Sequence, residues 1–112
     1  MKRAALLIAA LAFAQPALAK TSLSAKRGLA FAEARCAACH GVRANATSPN
    51  PESPTFEDIA NYPDLTAQTL RAFLRDSHNY PAAMNFRVDP RRIRDLSNWI
   101  ITMRRSGYKP AQ

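Results

Sequence analysis

The stretch Cys36-Ala37-Ala38-Cys39-His40 constrains this chain more than any other. Two cysteines three residues apart, followed at once by histidine, are the signature of c-type haem attachment. On one helical turn, positions i and i+3 face the same way, so both thiols reach the two vinyl groups of a single porphyrin and close thioether bonds. His40 comes next, placed to ligate the iron through an imidazole nitrogen. Other uses of the cysteine pair fit less well. A thioredoxin-like dithiol belongs beside a βαβ pattern, which the sequence lacks. A zinc site would need Cys36, Cys39, His40 and His78 together, with adjacent Cys39 and His40 turned toward one ion. A disulfide between Cys36 and Cys39 would close too small a loop to stabilise much.

Upstream, Lys2-Arg3 precede an apolar run from Ala4 to Phe13, and Ala17-Leu18-Ala19 places small residues where cleavage is defined. Residues 1–19 therefore read as a secretory signal peptide, and residues 20–112 as one exported domain. The apolar core of the leader, about ten residues, falls short of the roughly 20 that a membrane span requires. No span is expected after cleavage. In bacteria thioether attachment follows translocation, so the leader and the cysteine motif imply the same compartment, the periplasm. The chain is 47% hydrophobic and 21% charged, a globular balance. A porphyrin hiding on the order of 400 Å² of apolar surface would add roughly 10 kcal/mol at ~25 cal/mol per Å². That is comparable with the whole stability of a small domain, so the chain is expected to fold poorly without haem.

The remaining segments read as helices and loops. Hydroxyl caps at Thr21 to Ser24 open a proline-free helix that runs from Ala25 to Ala38 and delivers the cysteines. Gly28 lies inside it, where glycine costs about 1 kcal/mol relative to alanine, which implies that another backbone or a ring comes close. Val42 to Pro54 is a loop with three prolines, and the Pro54 carbonyl is the candidate acceptor for the free N–H of His40. Thr55-Phe56-Glu57-Asp58 reads as a capping box opening a short helix through Ala60, with Phe56 and Ile59 facing inward. Thr66 caps a third helix with Leu70, Phe73 and Leu74 at core spacing, ending near Asp76 or Ser77. Periodicity then lapses from His78 to Val88, around Pro81. Asp89-Pro90 starts the last helix, whose stripe is Ile93, Leu96, Ile100 and Met103, closed by Arg104, Arg105 and Gly107. The fold expected is all-α, about four helices with two long loops wrapped around one covalently attached haem.

Three residues compete for the second axial position. Met103 belongs to an apolar helical stripe and reads as core. His78, beside a helix end, reads as a solvated cap, and as a ligand it would give a bis-histidine iron of lower potential. Met84 belongs to no stripe and is the favoured ligand.

With these residues in view, the chain resembles a small monohaem class I cytochrome c of bacterial type. Cys36 to Gly41 matches that family's attachment motif, and its axial methionine falls on Met84, with Phe86 as the aromatic that follows. Gly28 and Trp99 match the positions where the family's first and last helices cross, and Pro54 matches its loop proline. The chain departs from the pattern at Ala32, where the family commonly has an aromatic that here stands one residue earlier as Phe31. It departs again at Asn85, where a proline often follows the methionine.

The resemblance implies a single-electron carrier, not an enzyme, because His40 and Met84 together leave no coordination site for substrate. The alternative is a ligand-binding or sensing haem protein with an open or bis-histidine iron. Partners are expected to be redox proteins. Of 16 basic residues, loss of Lys2 and Arg3 with the leader leaves 14 against eight acidic, a formal +6. Arg87, Arg91, Arg92, Arg94, Arg104 and Arg105 concentrate that charge near the last helix and suit an acidic docking surface. Nucleic acid is not expected as a partner of an exported protein.

Overall fold

The computed structural model describes residues 21–76 and 80–110. The leader at residues 1–19 and His78 lie outside them. Four α-helices follow in order, α1 (Leu23–Arg35), α2 (Phe56–Ala60), α3 (Ala67–Arg75) and α4 (Pro90–Ile101), with a 3₁₀ turn at Ala82–Met84 between the last two. There is no strand among the described residues, and the protein is all-α.

Each helix starts where a side-chain oxygen meets its orphan N–H groups. Ser22 accepts from Ala25, Thr55 from Asp58, and Asp89 from Arg91 just behind Pro90. Thr66 and Thr69 bond each other's backbones in a reciprocal capping box.

Two helix ends differ from the sequence expectation. α1 stops at Arg35 and not at Ala38: Cys36 still makes the regular bond to the Ala32 carbonyl, at 2.8 Å, but the Ala37 N–H bonds that same carbonyl, five residues back, at 3.0 Å, and leaves the helical ladder. A separate turn follows, in which Cys39 and His40 both donate to the Cys36 carbonyl, at 3.1 and 2.9 Å. The cysteines therefore ride on a hydrogen-bonded turn just past the helix. α4 ends at Ile101, and i→i+3 bonds tighten the chain through Arg104 before Gly107 turns at φ 70°.

The core sits where α1 crosses α4. A Cβ on Gly28 would lie 2.0 Å from the Asp95 carbonyl oxygen and 2.9 Å from the Trp99 Cβ, so only glycine permits this approach. Asp95 ties the same crossing with its carboxylate, which accepts from Arg27 Nε at 2.8 Å and from the Ser24 hydroxyl. The Trp99 indole N–H donates to the Val42 carbonyl at 2.8 Å, attaching the long loop to α4. Ala32 is fully buried in the core, while Phe31 packs against its edge. The aromatic displaced by one position thus lies beside the crossing rather than within it.

The C-terminal segment fastens α2. Arg105 pairs with buried Glu57 at 2.9 Å, and Glu57 also accepts the Asn45 N–H at 2.8 Å. Tyr108 donates to Asp58 at 2.6 Å, and Arg104 donates to the Ala60 and Leu65 carbonyls. Asn45, at φ 59°, is a non-glycine residue in the left-handed region, held there by its bond to Glu57.

Candidate haem site

Five segments converge on one cavity of about 700 Å³, its open mouth included. The turn after α1 brings Cys36, Cys39 and His40 to it, and α2 contributes Phe56. α3 supplies Leu74, the loop before α4 supplies Tyr80, Met84 and Phe86, and α4 supplies Leu96 and Ile100. All of the site residues read from the sequence, namely Cys36, Cys39, His40 and Met84, line this single space.

His40 is buried, and its Nδ1 lies 2.7 Å from the Pro54 carbonyl oxygen. A carbonyl only accepts, so Nδ1 carries the proton and the Nε2 lone pair is left available to a metal. The Phe56 ring stands 5.5 Å away, centroid to centroid, and further restricts the imidazole. The supporting loop is tied at both ends. Asn50 donates to the Cys39 carbonyl at 3.2 Å, and Phe56 to the Gly41 carbonyl at 2.8 Å.

Cys36 and Cys39 are not joined as a disulfide. Burial pushes the Cys36 thiol up to about 11 against the opposing charge of Arg35. That is the reverse of what a dithiol redox site needs, since a nucleophilic cysteine has a depressed pKa. Among the described residues, no three His, Cys, Asp or Glu side chains gather to hold a metal ion, and the fourth ligand that a zinc site would need, His78, lies outside them.

Met84 is half-buried at the end of the 3₁₀ turn and borders the cavity. Met103, by contrast, is buried within the core cluster and does not border it. Tyr80, which the sequence reading passed over, stands between Phe73 and Phe86 at centroid distances of 5.4 and 6.2 Å. Its hydroxyl donates to the Leu74 carbonyl. Burial, then the charges of Cys36 and Asp76, raise the phenol above its ordinary value. A tyrosine two residues after a lapsed helical period was the available signal, and only tertiary structure shows what it touches.

The lining fits a large, flat, apolar group with a metal at its centre: carbon-rich walls, a histidine lone pair, a thioether sulfur, and two thiols at the edge. The family model for cytochrome c matches residues 25–104. The chain belongs to the cytochrome c family. One relative is the cytochrome c-552 of Bradyrhizobium diazoefficiens, 28% identical over 94 residues that cover 84% of this chain and 88% of the relative. No solved structure matches significantly. As a cytochrome c the protein carries covalent haem c and serves as a haem-based electron carrier. Its family works with redox partners and generally transfers electrons rather than catalysing reactions.

The arginines that looked like one cluster in the sequence divide into separate groups. Arg104 and Arg105 are spent on α2, and Arg94 lies 3.9 Å from Asp95. Arg87 and Arg92, with Arg35, line a groove that shares Phe31, Phe86 and Val88 with the cavity. Among the described residues none of these three is in an ion pair. Arg91 faces a different recess beside Arg27.

Proposed function

We propose that this cytochrome c is an exported single-electron carrier whose haem is attached through Cys36 and Cys39 and held axially by His40 and Met84. The observation that carries the reading is the convergence of these four side chains on one apolar cavity. When bound there, haem supplies reversible one-electron exchange between ferric and ferrous iron. The chain's own residues set how that exchange proceeds. Pro54 holds the His40 tautomer, so that one ring nitrogen alone is offered to the metal. Met84 offers a neutral, soft sulfur, which favours the high end of the ~0.8 V range that axial ligands span. Phe56, Leu74, Leu96 and Ile100 exclude water, and a dry, rigid surround reduces the reorganisation that accompanies a change of charge.

No helix among the described residues is long and apolar enough to cross a membrane. The leader read in residues 1–19 and the bacterial relative support export, and we infer the periplasm as the compartment, with cleavage after Ala19 leaving residues 20–112. Arg35, Arg87 and Arg92 around exposed Phe86 support docking on an acidic face of the redox partner.

The test is spectroscopic. Expressed with the attachment machinery, the protein is expected to gain the mass of one haem, and the reduced form to leave carbon monoxide unbound. Cys36→Ala with Cys39→Ala is expected to release haem to acid acetone, and Met84→Ala to open the sixth position to carbon monoxide. Rapid carbon monoxide binding by the unaltered protein would favour a ligand-binding or sensing role instead.

A further inference from the structure

We propose that Tyr80 is the positioning residue that keeps the Met84 sulfur over the iron, by fastening the base of the methionine loop to the end of α3. This rests on the reading of Met84 as an axial ligand. The local structure around Met84 is slight. Met84 donates to the Pro81 carbonyl at 2.8 Å, Asn85 to that of Ala82 at 3.3 Å, and Phe86 to that of Met84 at 2.7 Å. All three bonds stay inside the loop, so they shape it without deciding where it sits.

Tyr80 supplies the attachment. Its hydroxyl donates to the carbonyl of Leu74, in the last turn of α3, where carbonyls have no intrahelical partner. Its ring packs on Phe73 of α3 on one side and on Phe86 on the other. Phe86 lies two residues beyond Met84, so the Tyr80–Phe86 contact closes the loop and the Tyr80–Leu74 bond anchors the closed loop to a helix. Asn85 stands where a proline would have stiffened the chain just after the methionine. The anchor therefore bears more of the work of holding the sulfur.

Tyr80→Phe removes the bond to the Leu74 carbonyl but keeps the ring that packs on Phe73 and Phe86, so the fold is expected to survive while the loop's equilibrium shifts. An added ligand binds ferric iron only in molecules whose methionine has swung away, and its apparent affinity follows that fraction. Cyanide titration of the ferric holoprotein reads it. Tyr80→Phe is expected to keep its haem and raise apparent cyanide affinity about fivefold, the equivalent of one hydrogen bond of ~1 kcal/mol. Phe86→Leu, which opens the loop from its other end, should shift affinity in the same direction. Both variants should also weaken the faint ferric absorption band that marks methionine ligation in this family. Met84→Ala sets the upper limit of the cyanide response. If Met84→Ala does not raise cyanide affinity, the ligand reading and this inference fall together. If it does, but Tyr80→Phe and Phe86→Leu titrate like the unaltered protein, the positioning role alone is overturned, even where thermal stability falls.

Discussion

The Asp95 carbonyl oxygen stands 2.0 Å from the point where a side chain on Gly28 would begin. Two helix backbones meet there, and neither atom belongs to a flexible side chain that could move aside. The crossing sets the separation of α1 from α4, and so the distance from the cysteine turn to the Leu96 and Ile100 wall of the cavity.

Gly28→Ala should therefore destabilise despite the better helix propensity of alanine. Propensity returns about 1 kcal/mol, whereas overpacking costs typically about 1–3 kcal/mol and more where backbone must shift. A net loss of about 2 kcal/mol is expected, read as a lower urea midpoint of the holoprotein at constant m. An unchanged midpoint would mean that the helices separate freely.

The side chain of Asp95 makes the same crossing sensitive to acid. The hydrogen bond from Arg27, then that from Ser24, hold its carboxyl down at about 2. An unfolded aspartate titrates near ~3.9, so between these values the unfolded chain binds the extra proton and stability rises with pH. The contribution is complete above about pH 4 and fades as pH falls toward 2. Asp95→Asn should lower stability at neutral pH by about 1–2 kcal/mol, and flatten the acid limb of a stability–pH curve. A parallel curve displaced by a constant would place the acid sensitivity elsewhere.

Much of this was legible in the sequence, for reasons that differ from residue to residue. That Cys36, Cys39 and His40 share one cavity was readable because the proposed haem attachment needs their spacing, and the close approach at Gly28 because a mid-helix glycine needs a cause. The bond from His40 to the Pro54 carbonyl followed from the expectation that an imidazole offered to a metal has a second partner for its other nitrogen. The end of α1 was missed because the change at Ala37 from an i→i−4 to an i→i−5 bond leaves no mark in a pattern rich in helix formers. Phe73, at core spacing, is 40% exposed and meets Tyr80 rather than the core. Asp95 and Glu57 were missed because a buried acid looks like any other until its arginine, 68 or 48 positions away, is found. The arginine cluster misled for the same reason, since composition does not show which guanidinium groups already have partners.

Ser97 offers a test of the α4 interior. It is fully buried, and its hydroxyl has no hydrogen-bond partner among the described residues. An unsatisfied buried polar group costs about 1–3 kcal/mol, and alanine fits the same space. Ser97→Ala should leave the holoprotein as stable as before or more stable by about 1 kcal/mol, measured by thermal unfolding. A clear loss would reveal a bond made to water.

Met103 and Met84 should separate stability from ligation. Met103 is 6% exposed within the core, and truncating a buried methionine costs about 2–5 kcal/mol through the cavity left behind. Met103→Ala should lower the unfolding midpoint and preserve both the ferric methionine band and the potential. Met84→Ala should lose the band and lower the potential. The opposite pairing of effects would move the axial ligand to Met103.

Docking gives the prediction most altered by the structure. Arg104 and Arg105 stand close in sequence to the other arginines, yet their guanidinium groups are bound to α2, so reversing them removes internal bonds. Arg105→Glu would set a second carboxylate against buried Glu57 and should appear as lost stability. Arg87 and Arg92, which make no ion pair among the described residues and stand beside Phe86 and the cavity mouth, are the pair a partner would meet. Reversing both to glutamate should slow bimolecular electron transfer from an acidic partner by about tenfold or more at low salt. The spectrum and the unfolding midpoint should barely change. The difference should shrink with added salt, because the Debye length falls from ~30 Å at 0.01 M to ~10 Å at 0.1 M. Stopped-flow rates across that range decide the matter. A flat salt dependence with the native partner, or equal rates for the unaltered and reversed proteins, would assign docking to apolar contact around Phe86 alone.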